Sequence, residues 1–205
     1  FFTVYSSVYQ LRNQTGISKY RKITKDNNLI YAADPIQSMR NAKSQGALIM
    51  HNHPGWRRTS VEHPEIEKKA YDEGLIDGVE SMNGGEFYPK IIDRAHEVGL
   101  FLCSNTDIHD SATETYRAQG HIRNMTFILA QDQSLDSVRE ALLAHRTLAY
   151  SFGTIAGEEQ LLKDFFHSCV SVRVIAQDAK KVTLAFTNNS SLEFMLQSTG
   201  NPFRL

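Results

Sequence analysis

Apolar positions along the chain switch between two rhythms: short β-branched or aromatic runs, and longer stretches in which apolar residues recur every three or four positions. Residues 2–9 read as a strand. Residues 11–28 are polar and charged without a clear period, and read as a long loop or insertion. Asp34-Pro35 opens a helix: Pro suits the first turn, Ile36, Met39 and Ala42 follow at helical spacing, and Gly46 ends it. Residues 47–50 form an apolar run that ends in His51-Asn52-His53-Pro54-Gly55, the pattern of a buried strand delivering polar groups at its C-terminal end. A helix over 63–74, a strand over 77–82, a turn at Asn83-Gly84-Gly85 and a helix over 87–98 come next. The strand 100–103 then runs into Ser104-Asn105-Thr106-Asp107-Ile108-His109. After a polar loop at 110–124 come a strand at 125–130, a helix at 134–146 and a strand at 147–150.

Strands alternating with helices imply βαβ units and a parallel sheet. The rhythm changes after Gly157. One more helix at 158–167 leads to strand-like segments at 170–175, 182–186 and 191–196 with short polar turns, a small antiparallel β module. The predicted organisation is an α/β domain over 1–156, then a linker helix and β-rich module over 157–205.

Composition narrows the function classes. Lys plus Arg is 22 and Asp plus Glu is 23, a formal charge of −1, which argues against a protein that holds extended nucleic acid by charge. No apolar run approaches the roughly 18 residues of a membrane span. Cys103 and Cys169 fit neither a disulfide framework nor a zinc ribbon, and are expected to stay unlinked. The chain opens Phe1-Phe2-Thr3-Val4-Tyr5 without an initiator Met, which reads as a processed or cut chain and leaves the compartment, cytoplasmic or periplasmic, open.

Catalytic groups of α/β sheets gather at the C-terminal ends of parallel strands. Three such ends carry candidate chemistry: His51-Asn52-His53, Glu80, and Asp107-Ile108-His109. Side chains alternate along a strand, so His51 and His53 share a face if the strand continues through them, as do Asp107 and His109. Imidazole and carboxylate together suit Zn, Mn or Fe. Glu80 reads either as a ligand or as an inward carboxylate that orients a ligand histidine, and Asn105 as a supporting neighbour. His121, His145 and His167 read as surface or packing residues.

These segments, in this order, resemble the PHP (polymerase and histidinol phosphatase) family. Residues 47–56, ending in His53-Pro54-Gly55-Trp56, resemble its third histidine motif. Residues 74–80 resemble the next stretch of the family, Asn105-Thr106-Asp107-Ile108-His109 its last Asp-x-His motif, and 123–147 its barrel-closing segment. The resemblance implies a distorted β/α barrel with up to three divalent metals that hydrolyses the phosphate ester of a small substrate or nucleotide. It makes His53, Asp107 and His109 metal ligands, expected within roughly 4–8 Å of one another. Asp107 would position the attacking water, and His51 would bind substrate or protonate the leaving oxygen. Arg57 and Arg58, after the Pro54-Gly55-Trp56 turn, could meet the phosphate. The family's first His-x-His motif has no counterpart here, so the first barrel strands are expected to be missing. Two rivals remain: a degenerate barrel that binds metal or ligand without turnover, and a JAMM-like metallo-isopeptidase built on His51-x-His53-Pro54 with Ser60, in which His63 occupies the expected Asp position. The oligomeric state is not legible.

Overall fold

The structure, a computed structural model, describes residues 34–55, 65–108 and 120–197, together with Ser111, Tyr116 and Ala118 and strand backbone at 5–6, 20–23 and 29–32. The chain divides into two compact units, Phe1–Leu161 and Leu162–Leu205.

The first unit is built on a mainly parallel sheet. Strand β1 (Tyr5–Ser6) pairs in parallel with β4 (Ile49–His51), β4 with β5 (Gly78–Asn83), and β5 with β7 (Phe101–Asn105). The two-residue β6 (Glu86–Phe87) folds back antiparallel on the end of β5. Strands β2 (Tyr20–Ile23) and β3 (Leu29–Ala32) form a separate antiparallel ribbon. The sequence 20–23, expected to be loop, is thus strand. Its two central charges, Arg21 and Lys22, break the alternation that would announce it.

Helices α1 (Pro35–Lys43), α2 (Glu65–Asp72) and α3 (Pro89–Val98) cover one face of the sheet. Helix α1 starts where Asp34 Oδ1 accepts from the Ile36 N–H at 2.9 Å, with Pro35 in the first turn. Its stripe of Ile36, Met39 and Ala42 packs with Ile49, Val79 and Leu102 of the sheet and with Ala70, Ile91 and Ala95 of α2 and α3. Leu48, Met50, Phe101 and Cys103, on the alternate positions, form a second cluster on the other face. Strands so buried on both faces read as continuous apolar runs, which is why 47–50 and 100–103 were legible.

Strands β8 (Met125–Ile128), β9 (Thr147–Ser151) and β10 (Thr154–Ala156) form a second sheet, antiparallel throughout. The β8–β9 pairing departs from the parallel arrangement expected. Helix α4 (Leu135–Leu143) lies between these strands in sequence, yet Ile128 pairs with Thr147. The chain therefore re-enters at the end of β8, where the Leu129 N–H donates to Arg146 O at 2.9 Å. The two sheets meet through hydroxyls. Thr147 Oγ1 accepts from the Leu102 N–H (2.9 Å) and Thr126 Oγ1 from the Ser104 N–H (3.0 Å), while Ser104 Oγ donates to Tyr150 O (2.8 Å). Among the described residues the strands form separate sheets and trace no closed ring, so the architecture is mixed α/β.

Helix α5 (Glu159–Cys169) leads into the second unit, a hairpin of β11 (Val170–Gln177) and β12 (Val182–Asn188) with a bulge between Val174 and Ala176. The third strand expected at 191–196 is not one: the chain there pairs with no strand among the described residues, and Met195 is 98% exposed. Cys103 and Cys169 are both free and buried. No described helix is long and apolar enough to cross a membrane.

Gly78 lies beside Phe101 across the β5–β7 pair, and a Cβ there would sit 2.1 Å from the Phe101 ring. Gly78→Ala should therefore lower the unfolding free energy by about 1–3 kcal/mol, read from the urea midpoint. Adding Phe101→Leu should recover part of that loss, and an unshifted midpoint for Gly78→Ala alone would show that the ring moves aside freely.

Candidate functional site

Strands β4 and β7 flank β5 and run parallel to it, so the residues just past them emerge on one rim of the sheet. His53 lies two residues past β4 and Asp107 two residues past β7. Both have left-handed backbone, φ +32° at His53 and +46° at Asp107. His and Asp are among the residue types that tolerate this region. The strand does not continue through His53, so the expected shared face of His51 and His53 does not form.

The Glu80 carboxylate joins the two strand ends. Its Oε2 accepts from the backbone N–H of His53 and from Asn83 Nδ2 (3.0 Å), and its Oε1 from Asn105 Nδ2 (2.7 Å). Glu80 is 1% exposed. Burial pushes its pKa up, opposed by the hydrogen bonds from Asn105, the His53 backbone and Asn83 and by the charge of His53.

Glu80 and Asn83 are three residues apart and should lie on opposite faces of a regular strand. The β5–β7 register slips between Glu80 and Met82, so that Glu80 pairs with Cys103 and Asn83 with Asn105. Cys103 and Asn105 share a face, and the bulge therefore brings Glu80 and Asn83 to that same face. Asn83 was missed in the sequence because nothing in 77–82 announces the bulge.

The turns around this carboxylate are packed by a further network. Gly84 (φ +53°) donates its N–H to Asn105 O at 2.9 Å, and a Cβ on it would lie 3.4 Å from Thr106 O. Gly84 O accepts from Asn124 Nδ2 and Ser151 Oγ, each at 2.9 Å. The Tyr88 ring lies against Gly55, where a Cβ would come within 2.3 Å of it, and the Tyr88 hydroxyl donates to Glu86. The Tyr88 pKa is pushed well up, first by burial, then by the bond to Glu86 and by the charges of Glu86, Glu80 and Asp107.

His51 lies elsewhere. It is 2% exposed, on the helix-covered face; its Nδ1 is 2.7 Å from the Tyr71 hydroxyl and its Nε2 is 3.9 Å from Glu67, both on α2. That geometry gives it the surroundings of a packed core histidine. His109, Arg57 and Arg58 lie outside the described residues, as do Ser60 and His63, on which the isopeptidase reading turns. Among the described residues no three His, Cys, Asp or Glu side chains cluster as a metal site. The donors that are described suit a divalent metal in kind: the His53 imidazole and the Asp107 carboxylate on one rim. Between the two histidines, Asn52 Oδ1 is a buried oxygen with no hydrogen-bond partner among the described residues.

The fold is similar to the crystal structure of a two-domain protein from Bacteroides vulgatus ATCC 8482 containing a predicted PHP-like metal-dependent phosphoesterase. The TM-score is 0.73 and the sequence identity 34%, over 78% of this chain and 48% of that one. This chain thus spans about half the length of that protein. No family model and no curated protein matches the chain.

The raised Glu80 pKa has a consequence for stability. The folded chain holds the Glu80 proton more tightly than the unfolded chain, so the associated stability is present at low pH and is lost as pH rises through the raised value. With metal chelated, the urea midpoint of the wild type should fall relative to that of Glu80→Gln as pH rises above the ordinary glutamate value of 4.5. Parallel midpoints across that range would mean that the carboxylate is not strained by its burial.

Proposed function

We propose that this chain, PHP-like both in the order of its motifs and in its fold, carries part of the site of a metal-dependent phosphoesterase of the β/α-barrel type. The observation that supports this most directly is the buried Glu80 carboxylate. It ties the backbone of one candidate ligand, His53, to Asn105, two residues before the other, Asp107. A carboxylate that grips a ligand's main chain fixes where the imidazole can reach, the support that metal ligands require.

In this reading His53, Asp107 and His109 hold Zn, Mn or Fe. A bound divalent metal would supply a water acidic enough to attack a phosphate ester near neutral pH, and positive charge for the phosphoryl oxygens. The chain's own residues orient and exclude. Glu80, Asn83 and Asn105 hold the two strand ends in register. Tyr88 closes one side of the 53–55 turn by lying on Gly55. Arg57 and Arg58 are candidates to meet the phosphate. His51 keeps a structural part, since its two nitrogens face Tyr71 and Glu67.

The reading predicts that the chain binds Mn2+ with measurable affinity in calorimetry. His53→Ala and Asp107→Ala should each weaken that binding by about tenfold or more, because each removes a ligand. His51→Gln should leave it within about twofold. The 205-residue chain should turn over a generic phosphate ester slowly, and Asp107→Ala should abolish whatever rate is found. Unchanged Mn2+ affinity in both ligand variants would overturn the assignment.

A further inference from the structure

We propose that the pocket beside the 84–86 turn is the subsite for the organic part of the substrate, and that it takes a flat aromatic group carrying a hydrogen-bond donor. The inference rests on the phosphoesterase reading above. The pocket has a volume of about 280 Å³ and is lined by Met82, Glu86, Phe87, Ser151, Phe152 and Thr154 among others. A cavity of roughly 150 Å³ holds benzene, so this one has room for one or two fused rings.

The first argument is Phe152. Phe152 (φ +45°) and Gly153 (φ +81°) form the two-residue turn between β9 and β10, with Ser151 paired to Thr154. Such a turn needs positive φ at both positions and favours Asn, Asp or Gly at the first. A phenylalanine there is strained, at about 1–3 kcal/mol. Turn chemistry does not call for it, so its ring is the reason to look for a role.

The ring is braced and presented. Tyr116 and His121 lie behind it, with centroids at 5.8 and 4.9 Å, yet Phe152 remains 37% exposed. Phe87, across the same pocket, is 45% exposed. Two phenyl rings at one opening suit a flat apolar ligand. Polarity is supplied by Glu86. The Tyr88 hydroxyl donates to its Oε2, while among the described residues Oε1 has no hydrogen-bond partner. A carboxylate oxygen so held accepts, and therefore selects a ligand N–H or O–H.

The pocket adjoins the rim that carries Asp107. Gly84 donates its N–H to Asn105 O, two residues before Asp107, and Tyr88, whose hydroxyl donates to Glu86, feels the charges of Glu80 and Asp107. A phosphate held at the rim would place its ester group over the 84–86 turn.

The test is calorimetric titration of the chain in Mn2+ with methyl phosphate, phenyl phosphate and 4-aminophenyl phosphate. The wild type should bind phenyl phosphate about tenfold tighter than methyl phosphate, and 4-aminophenyl phosphate tighter again. Phe152→Asn should reduce the phenyl preference to near unity while raising the thermal midpoint, since Asn relieves the turn. Glu86→Gln should remove most of the gain from the amino group. A wild type that binds methyl and phenyl phosphate equally sinks the subsite and spares the phosphoesterase reading. So does a Phe152→Asn variant that keeps the preference or melts lower. A wild type that binds none of the three phosphates sinks both.

Discussion

Burying the Glu80 carboxylate sets the terms for the rim around it. A carboxylate removed from water costs several kcal/mol unless donors surround it. Here they come from three places: the main chain after β4, the end of β5 itself, and the end of β7. Each donor must be held in place for the charge to be tolerated, and so each of the three segments is held. The sheet's backbone ladder fixes the strands; this one side chain fixes the segments beyond their ends. The bulge in β5 is part of the same constraint. Without the register slip between Glu80 and Met82, Asn83 would face the helices and its amide could not reach the carboxylate.

A second constraint acts at the far edge of β7. A buried strand edge cannot leave its N–H groups unpaired. Strand β7 meets that demand with the hydroxyls of Thr147 and Thr126. This joins two sheets of different internal geometry: the parallel set on one side, the antiparallel β8–β10 set on the other. It also brings Ser151 and Asn124 onto Gly84 O, so the second sheet holds the turn that borders the Asp107 segment.

How much the sequence disclosed depends on which physical signals are local. Buried parallel strands announce themselves as apolar runs, and the segments ending at His51 and Asn105 were read at nearly their observed limits. Helix α1 was legible from Asp34, Pro35 and its apolar stripe. Glu80 and Asn105 were picked out as supporting groups, but their hydrogen bond spans 25 positions and no spacing reveals it. The bulge at Ser81 was not legible, because bulges depend on a partner strand. His51 and His53 looked equivalent at x+2; the strand's end between them separated their surroundings. The antiparallel β8–β9 pair was hidden because alternation of strand and helix does not record which way the helix returns. Segment 191–196 has the alternation of a strand but pairs with no strand among the described residues.

Local rules are broken unevenly along this chain. The described non-glycine residues with positive φ are His53, Asp107, His145 and Phe152. His145 comes directly after α4, where helices commonly end in left-handed backbone. Of the others, His53 and Asp107 stand at the two strand ends that Glu80 links, and Phe152 faces the glycine turn between them and the second sheet. Three unconnected loops would have no reason to accept such backbone in the same neighbourhood. Left-handed backbone at His53 and Asp107 turns the chain sharply just past the ends of β4 and β7, where the Glu80 carboxylate links the two segments. His and Asp tolerate such backbone, whereas at Phe152 no turn preference compensates for it, so the backbone strain of this region is concentrated at that ring.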